Sequence, residues 1–190
     1  IIGRLKPQKD IPTFLLAAVE VLREQPNARF LVVGDGPLQS ELEIQSKNLG
    51  LFPSLIFTGM RKDIPAILAA LDVLVLSSLW EGLPVILLEG MAAARAVVST
   101  SVDGVVGVVL PNETALLVPQ KNPVDLAQAC LKLIRNPALR QSMGQAGQER
   151  VIKKYSLNAM IDKISSLYVD LLQARGFDTP DFSEISEAGN

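Results

Sequence analysis

The stretch VLVLSSLWEGLPVILLEGMAAARAVVS, residues 73–99, decides the fold. Short β-branched runs stand at its two ends, Val73–Leu76 and Ala96–Ser99, and an apolar helical pattern over residues 84–94 separates them. Strand, loop, helix and strand in that order form a βαβ unit, whose strands run parallel because the crossover carries the chain back to the same edge. Pro84 suits a first helical position, since its fixed φ and missing N–H cost nothing there. The helix is therefore expected to start at Pro84, with Glu81 in the loop before it and Glu89 about one and a half turns inside.

The alternation continues on both sides. Further strands are expected at Ile1–Gly3, Arg29–Val33, Leu55–Thr58 and Ala115–Val118, and further helices over about 11–24, 37–48, 62–70 and 123–135. Such a succession predicts an α/β fold with a doubly wound parallel sheet covered on both faces. Ligands of such sheets bind outside the carboxyl ends of the strands, where Gly34–Pro37 and Ser77–Glu81 fall. From Asn136 onward only helices are expected, broken at Gly144 and Gly147, with a new start capped by Ser156. In the last helix Met160, Ile164, Leu167, Tyr168, Leu171 and Leu172 recur at helical spacing, an apolar face that needs a partner surface. Residues 1–176 are read as one domain with C-terminal helices, and 177–190, polar around two Phe, as a flexible tail.

Composition narrows the chemistry. Of 190 residues 48% are hydrophobic, enough for a substantial core. Eighteen Lys plus Arg against 20 Asp plus Glu give a net charge of −2, with no basic surplus to attract nucleic acid or anionic lipid. The absence of histidine removes Ser-His-Asp chemistry, His-based zinc sites and a His general base from this chain. The single cysteine, Cys130, permits no intrachain disulfide and lies in the apolar stripe of a helix, as a small buried hydrophobe would. No apolar run approaches the roughly 20 residues of a membrane helix and no signal peptide opens the chain, so a cytoplasmic protein is expected, membrane-peripheral at most. Ile1-Ile2-Gly3-Arg4 reads as the end of a buried strand, and the chain as a piece of a longer polypeptide.

Catalysis is thus left to carboxylates, cations and backbone. Glu81 and Glu89 straddle a Gly-Leu-Pro turn and the start of an apolar helix, whose Val85 and Ile86 N–H groups lack intrahelical acceptors and favour an anion. Carboxylates beside such an end are suited to accept hydrogen bonds from hydroxyls. Glu89, among Leu87, Leu88 and Met91, is expected to need donors if it is buried. Together these features describe a sugar-nucleotide site, or else a surface helix with two solvated glutamates. Arg4 and Lys9 flank a polar loop after the first strand, where two cations could neutralise a diphosphate without a metal, or form an ordinary charged loop. Gly34-Asp35-Gly36 begins like a dinucleotide fingerprint, but Gln39 occupies the third glycine position, and a tight turn capped by Pro37 explains it equally well. Gly59 ends a strand where a base or ribose could approach the backbone. Ser77 and Ser78 could bond a ligand, although two small residues ending a strand are common without one, and Trp80 could shield the sugar site or pack.

In order, Gly3-Arg4-Leu5, Lys9, Val33-Gly34-Asp35-Gly36-Pro37, Phe57-Thr58-Gly59, Asp72 with Ser77-Ser78, Glu81-Gly82-Leu83-Pro84, Glu89-Gly90-Met91-Ala92 and residues 112–119 form a set. As a set they resemble the C-terminal, donor-binding domain of the retaining GT-B glycosyltransferases of family four, over Ile1 to about Leu172. The resemblance implies transfer of a hexosyl unit from a nucleotide-diphosphate sugar (UDP-, GDP- or ADP-sugar), without a tightly bound cofactor and without metal. By the same resemblance Arg4 and Lys9 hold the diphosphate and help its departure, Glu81 binds the sugar hydroxyls, and Glu89 the ribose. Arg4, Lys9 and Glu81 are the candidate catalytic residues. Backbone near Gly82, Leu83 and Val85 lines the pocket, and the Gly59–Arg61 loop touches the base.

The acceptor, a glycan or lipid, would be bound by an N-terminal domain missing from this chain, which alone should not turn over. Three positions depart from the family pattern. Asp10 stands where a Gly usually follows the lysine, Ala94-Arg95-Ala96 where Gly-x-Pro is usual, and Gly107 where many members carry a glutamate. Two other classes remain open, a sugar-nucleotide 2-epimerase of the same architecture and a non-catalytic sugar-nucleotide-binding module.

Overall fold

Parallel pairing is as the 73–99 stretch requires, but the strands form two sheets, of two and three strands, where one sheet was expected. In this computed structural model, which describes residues 1–177, β3 (Val73–Leu76) pairs parallel with β4 (Ala96–Thr100), and β4 with β5 (Leu116–Val118). A second parallel pair joins β1 (Phe30–Val33) to β2 (Leu55–Gly59). The expected strand at Ile1–Gly3 is reduced to a single parallel bridge, Ile2 to Val33. The backbone there still bonds in a ladder, Val33 N–H to the Ile1 carbonyl and Gly3 N–H to the Val33 carbonyl, each at 2.9 Å. The 177–190 segment, apart from Phe177, lies outside the described residues.

Every residue of β4 is buried, so both faces of the sheet are covered at that strand. Helices lie between and after the strands. They include α1 (Ile11–Glu24), α2 (Gln39–Asn48), α3 (Ile64–Ala70), α4 (Val85–Ala92) and α6 (Pro123–Arg135). α1 packs on α6, α6 runs against β3, β4 and β5, and α4 against β3 and β4. Cys130 lies buried in α6 within this core, as its helical stripe predicts. Phe14 of α1 meets Phe30 of β1 edge to face, ring centroids 6.0 Å apart.

Pro84 caps α4 and is not its first residue: its ψ of 101° is extended, and Val85 opens the helix. A four-residue helix, α5 (Asp103–Val106), was not expected, being shorter than any periodicity window. Gly144 and Gly147 do not break the chain, because α7 runs unbroken from Pro137 to Tyr155. The physical reason is contact: a Cβ at Gly144 would lie 2.2 Å from the Ala94 carbonyl oxygen, so glycine here lets α7 approach that turn closely.

The chain divides into two units, Ile1–Glu149 and Arg150 onward. In the second, Ser156 caps α8 (Leu157–Ala174), its Oγ accepting from the Ala159 N–H at 3.2 Å as the sequence predicts. The apolar positions Met160 to Leu172 fall within that helix.

Candidate donor site

The loops at the carboxyl ends of the strands are tied into one rim. Gly34 N–H bonds the Gly59 carbonyl at 2.9 Å, Leu5 N–H the Asp35 carbonyl at 2.7 Å, and Leu79 N–H the Gln8 carbonyl at 2.8 Å. Two glycines make the approach possible. A Cβ at Gly34, whose φ is +130°, would lie 2.0 Å from the Gly3 carbonyl oxygen, and one at Gly36 2.4 Å from that of Leu5. Gly34 and Gly36 thus serve loop-to-loop packing, a use that needs no dinucleotide.

The rim brings Lys9 and Glu81 together. Lys9, at the end of a 3-10 turn (Pro7–Lys9), places Nζ 2.5 Å from Glu81 Oε1. Its stem passes Gly3 so closely that a Cβ there would meet Cε at 3.1 Å. Ser78 Oγ donates to the same Oε1 at 2.6 Å, and Gln8 Nε2 stands 3.4 Å from Oε2 and 2.9 Å from the Trp80 carbonyl. Oε2 therefore keeps acceptor capacity, and an ammonium with three protons keeps donors for an anion.

The other candidate cations are also paired. Arg4 lies 3.5 Å from Asp35 across the rim, both exposed. Arg61 grips Asp63 with both ends of its fork, at 2.8 and 2.6 Å, and that hydrogen bond holds the Asp63 carboxyl below its ordinary value. Gly59 ends β2 with φ +68° and open space where a Cβ would stand, which suits an approaching ring. Gly82, Leu83 and Val85 are exposed at the mouth of α4.

Two questions the sequence left open are answered by burial. Glu89 is exposed on α4, so it needs no internal donor. Ser77 and Ser78, 0% and 1% exposed, are turned to protein partners: Ser77 Oγ donates to the Lys9 carbonyl at 2.7 Å. Residues that sequence reasoning missed are Gln8, Asp35 as the Arg4 partner, and Gly104, where a Cβ would fall 2.1 Å from the Gly82 carbonyl oxygen. Only the position of Gln8 beside Lys9 hinted at any of these roles. Among the described residues no cluster of acidic, His or Cys side chains could hold a metal, and no helix is long and apolar enough to cross a membrane.

A family model described as "Glycosyl transferases group 1" matches residues 1–136. This chain belongs to that family. An Escherichia coli relative, UDP-Gal:alpha-D-GlcNAc-diphosphoundecaprenol alpha-1,3-galactosyltransferase, is 30% identical over 175 residues, 90% of this chain and 45% of its own length. Alpha-D-kanosaminyltransferase of Streptomyces kanamyceticus is 29% identical over 172 residues, with the same coverage. The chain thus spans about 45% of the length of these curated relatives. The structure of the C-terminal domain of a glycosyl transferase group 1 family protein, LpcC of Francisella tularensis, superposes with a TM-score of 0.76 at 30% identity. It matches 82% of this chain and 84% of its own. Anabaena HepE, solved in complex with UDP, gives a TM-score of 0.83 at 22% identity over 89% of this chain and 47% of its own, a likeness of fold. The group 1 chain thus has GT-B glycosyltransferases as its structural neighbours.

Proposed function

We propose that this group 1 chain is the C-terminal, donor-binding domain of a retaining glycosyltransferase of family four. It binds a nucleotide-diphosphate sugar for hexosyl transfer to an acceptor, a glycan or lipid, held by an N-terminal domain outside this chain. The observation that carries the reading is the Lys9–Glu81 pair at the strands' carboxyl ends: a cation for phosphate and a carboxylate for hydroxyls within one bond of each other. The Francisella domain of matching extent supports the C-terminal placement. The Escherichia coli relative, named for UDP-Gal, supports a nucleotide-sugar donor.

In this reading Arg4 and Lys9 hold the diphosphate and stabilise its departing charge, with no metal required. Glu81 accepts from the sugar hydroxyls through its underused Oε2, and the exposed Glu89 accepts from the ribose. Backbone at Gly82, Leu83 and Val85 lines the pocket, and the Gly59–Arg61 turn meets the base. The test is calorimetric titration with UDP, GDP and ADP, repeated with Glu89→Ala. One diphosphate binds in the micromolar to millimolar range, roughly −8 to −4 kcal/mol, and the variant loses about 1–3 kcal/mol. No binding by the chain joined to its N-terminal domain would sink the reading.

A further inference from the structure

The two serines that follow β3 use both hydroxyls inside the protein, and they do so on the two residues of the proposed donor site that touch each other. Ser77 Oγ donates to the Lys9 carbonyl at 2.7 Å, and Ser78 Oγ to Glu81 Oε1 at 2.6 Å. Both side chains are closed to solvent. Ser78 is anchored in turn, because Thr100 Oγ1, fully buried at the end of β4, donates to the Ser78 carbonyl at 2.6 Å. A chain of bonds therefore runs from the rigid β4 to the Glu81 carboxylate, and a second bond sets the main chain that carries Lys9.

We propose that Ser77 and Ser78 are positioning residues of the donor site, Ser77 fixing Lys9 through its carbonyl and Ser78 fixing the Glu81 carboxylate. The inference rests on the donor-site reading above and adds a division of labour to it. Ser77 governs the diphosphate, since Lys9 is the cation whose main chain it holds. Ser78 governs the sugar, since it holds Oε1, while Oε2, which takes a long 3.4 Å bond from Gln8, keeps acceptor capacity for hydroxyls. Neither hydroxyl touches the donor. A carboxylate held by one lysine and the long 3.4 Å bond from Gln8 keeps freedom about its last torsion, which is broad and soft, and the short second bond to Oε1 restricts it.

The experiment titrates the full-length polypeptide with UDP, GDP and ADP and with the matching nucleotide sugars, in wild type, Ser77→Ala, Ser78→Ala, Lys9→Ala and the Ser77→Ala/Lys9→Ala pair. Ser77→Ala weakens the sugar-free diphosphate about threefold to tenfold, and adds nothing once Lys9 is alanine. Ser78→Ala leaves the sugar-free diphosphate within twofold and removes about tenfold of the affinity gained from the sugar. Ser77→Cys, similar in size but a weak donor, behaves as Ser77→Ala, which separates the hydrogen bond from packing. Equal loss for both ligands in both alanine variants, or an unchanged Ser77→Ala effect without Lys9, overturns the inference while leaving the donor site standing. A wild type that binds none of the nucleotides overturns the donor-site reading and the inference together.

Discussion

Lys9 Nζ and Glu81 Oε1 lie 2.5 Å apart across 72 residues of sequence, with side chains only 16% and 7% exposed. A pair so withdrawn from water depends on both partners, because removing one leaves a buried charge without compensation. Lys9→Met is expected to cost roughly 3 kcal/mol of stability and Glu81→Gln a similar amount, while the double variant loses clearly less than their sum. Urea unfolding of the four proteins measures this. Losses that simply add would mean the two charges do not support each other in solution.

Two of the departures from the family pattern fall on backbone that favours glycine. Asp10 has φ +43° and Ala94 φ +54°, both left-handed. At each the usual glycine would sit without the steric cost of a Cβ, about 1–2 kcal/mol. Asp10→Gly and Ala94→Gly are therefore expected to raise stability by up to about 1 kcal/mol each, the entropy of a freer unfolded glycine taking back part of the gain. Asp10→Gly forfeits the bond from Thr13 Oγ1 to the Asp10 carboxylate at 2.7 Å, so it should gain less than Ala94→Gly. Thermal midpoints would decide, and a fall at Ala94→Gly would refute the argument.

How much of this was legible in the sequence depends on the range of the signal. β3, α4 and β4 could be read because β-branched runs and a helical pattern each span several residues between punctuating Gly and Pro. The loop–helix spacing that places Glu81 ahead of α4 was legible for the same reason. What the sequence hid were contacts between segments distant along the chain. Gly144 reads as a breaker until the Ala94 carbonyl is seen against it, and the role of Ser77 and Ser78 stays open until Lys9 and Glu81 are found on them. Whether Glu89 is buried could not be read from its apolar neighbours, and it falls on the exposed side of α4. The Ile1–Gly3 strand was right in direction but keeps a single bridge.

Cys130 should be silent chemically while the protein is folded. Burial pushes its thiol up to about 12, against an ordinary value near 9.0. The unfolded thiol ionises first, so its contribution to stability is complete below pH 9 and is lost as the pH climbs from 9 toward 12. At pH 10 the loss is about 1 kcal/mol, obtained as the difference in pH dependence between wild type and Cys130→Ala. At pH 8 iodoacetamide should label the native protein only at its opening rate. Fast labelling of fully folded protein would place the thiol at the surface.

Gly144 and Gly147 offer a paired test of why α7 carries glycine. Alanine within a helix normally gains about 0.5–1 kcal/mol over glycine. At Gly147 the added Cβ would meet the Met91 side chain no closer than 3.5 Å, an ordinary contact, so Gly147→Ala should show that gain. At Gly144 the same atom would come within 2.2 Å of the Ala94 carbonyl oxygen, and main chain held in a left-handed turn gives way only at a cost. Gly144→Ala should therefore destabilise by about 1–3 kcal/mol despite its better helix propensity. The opposite signs matter more than the sizes, because helix propensity alone predicts two gains of the same magnitude. Chemical denaturation of both variants under one set of conditions measures the contrast, and a gain at Gly144 would mean that α7 does not press against the Ala94 turn.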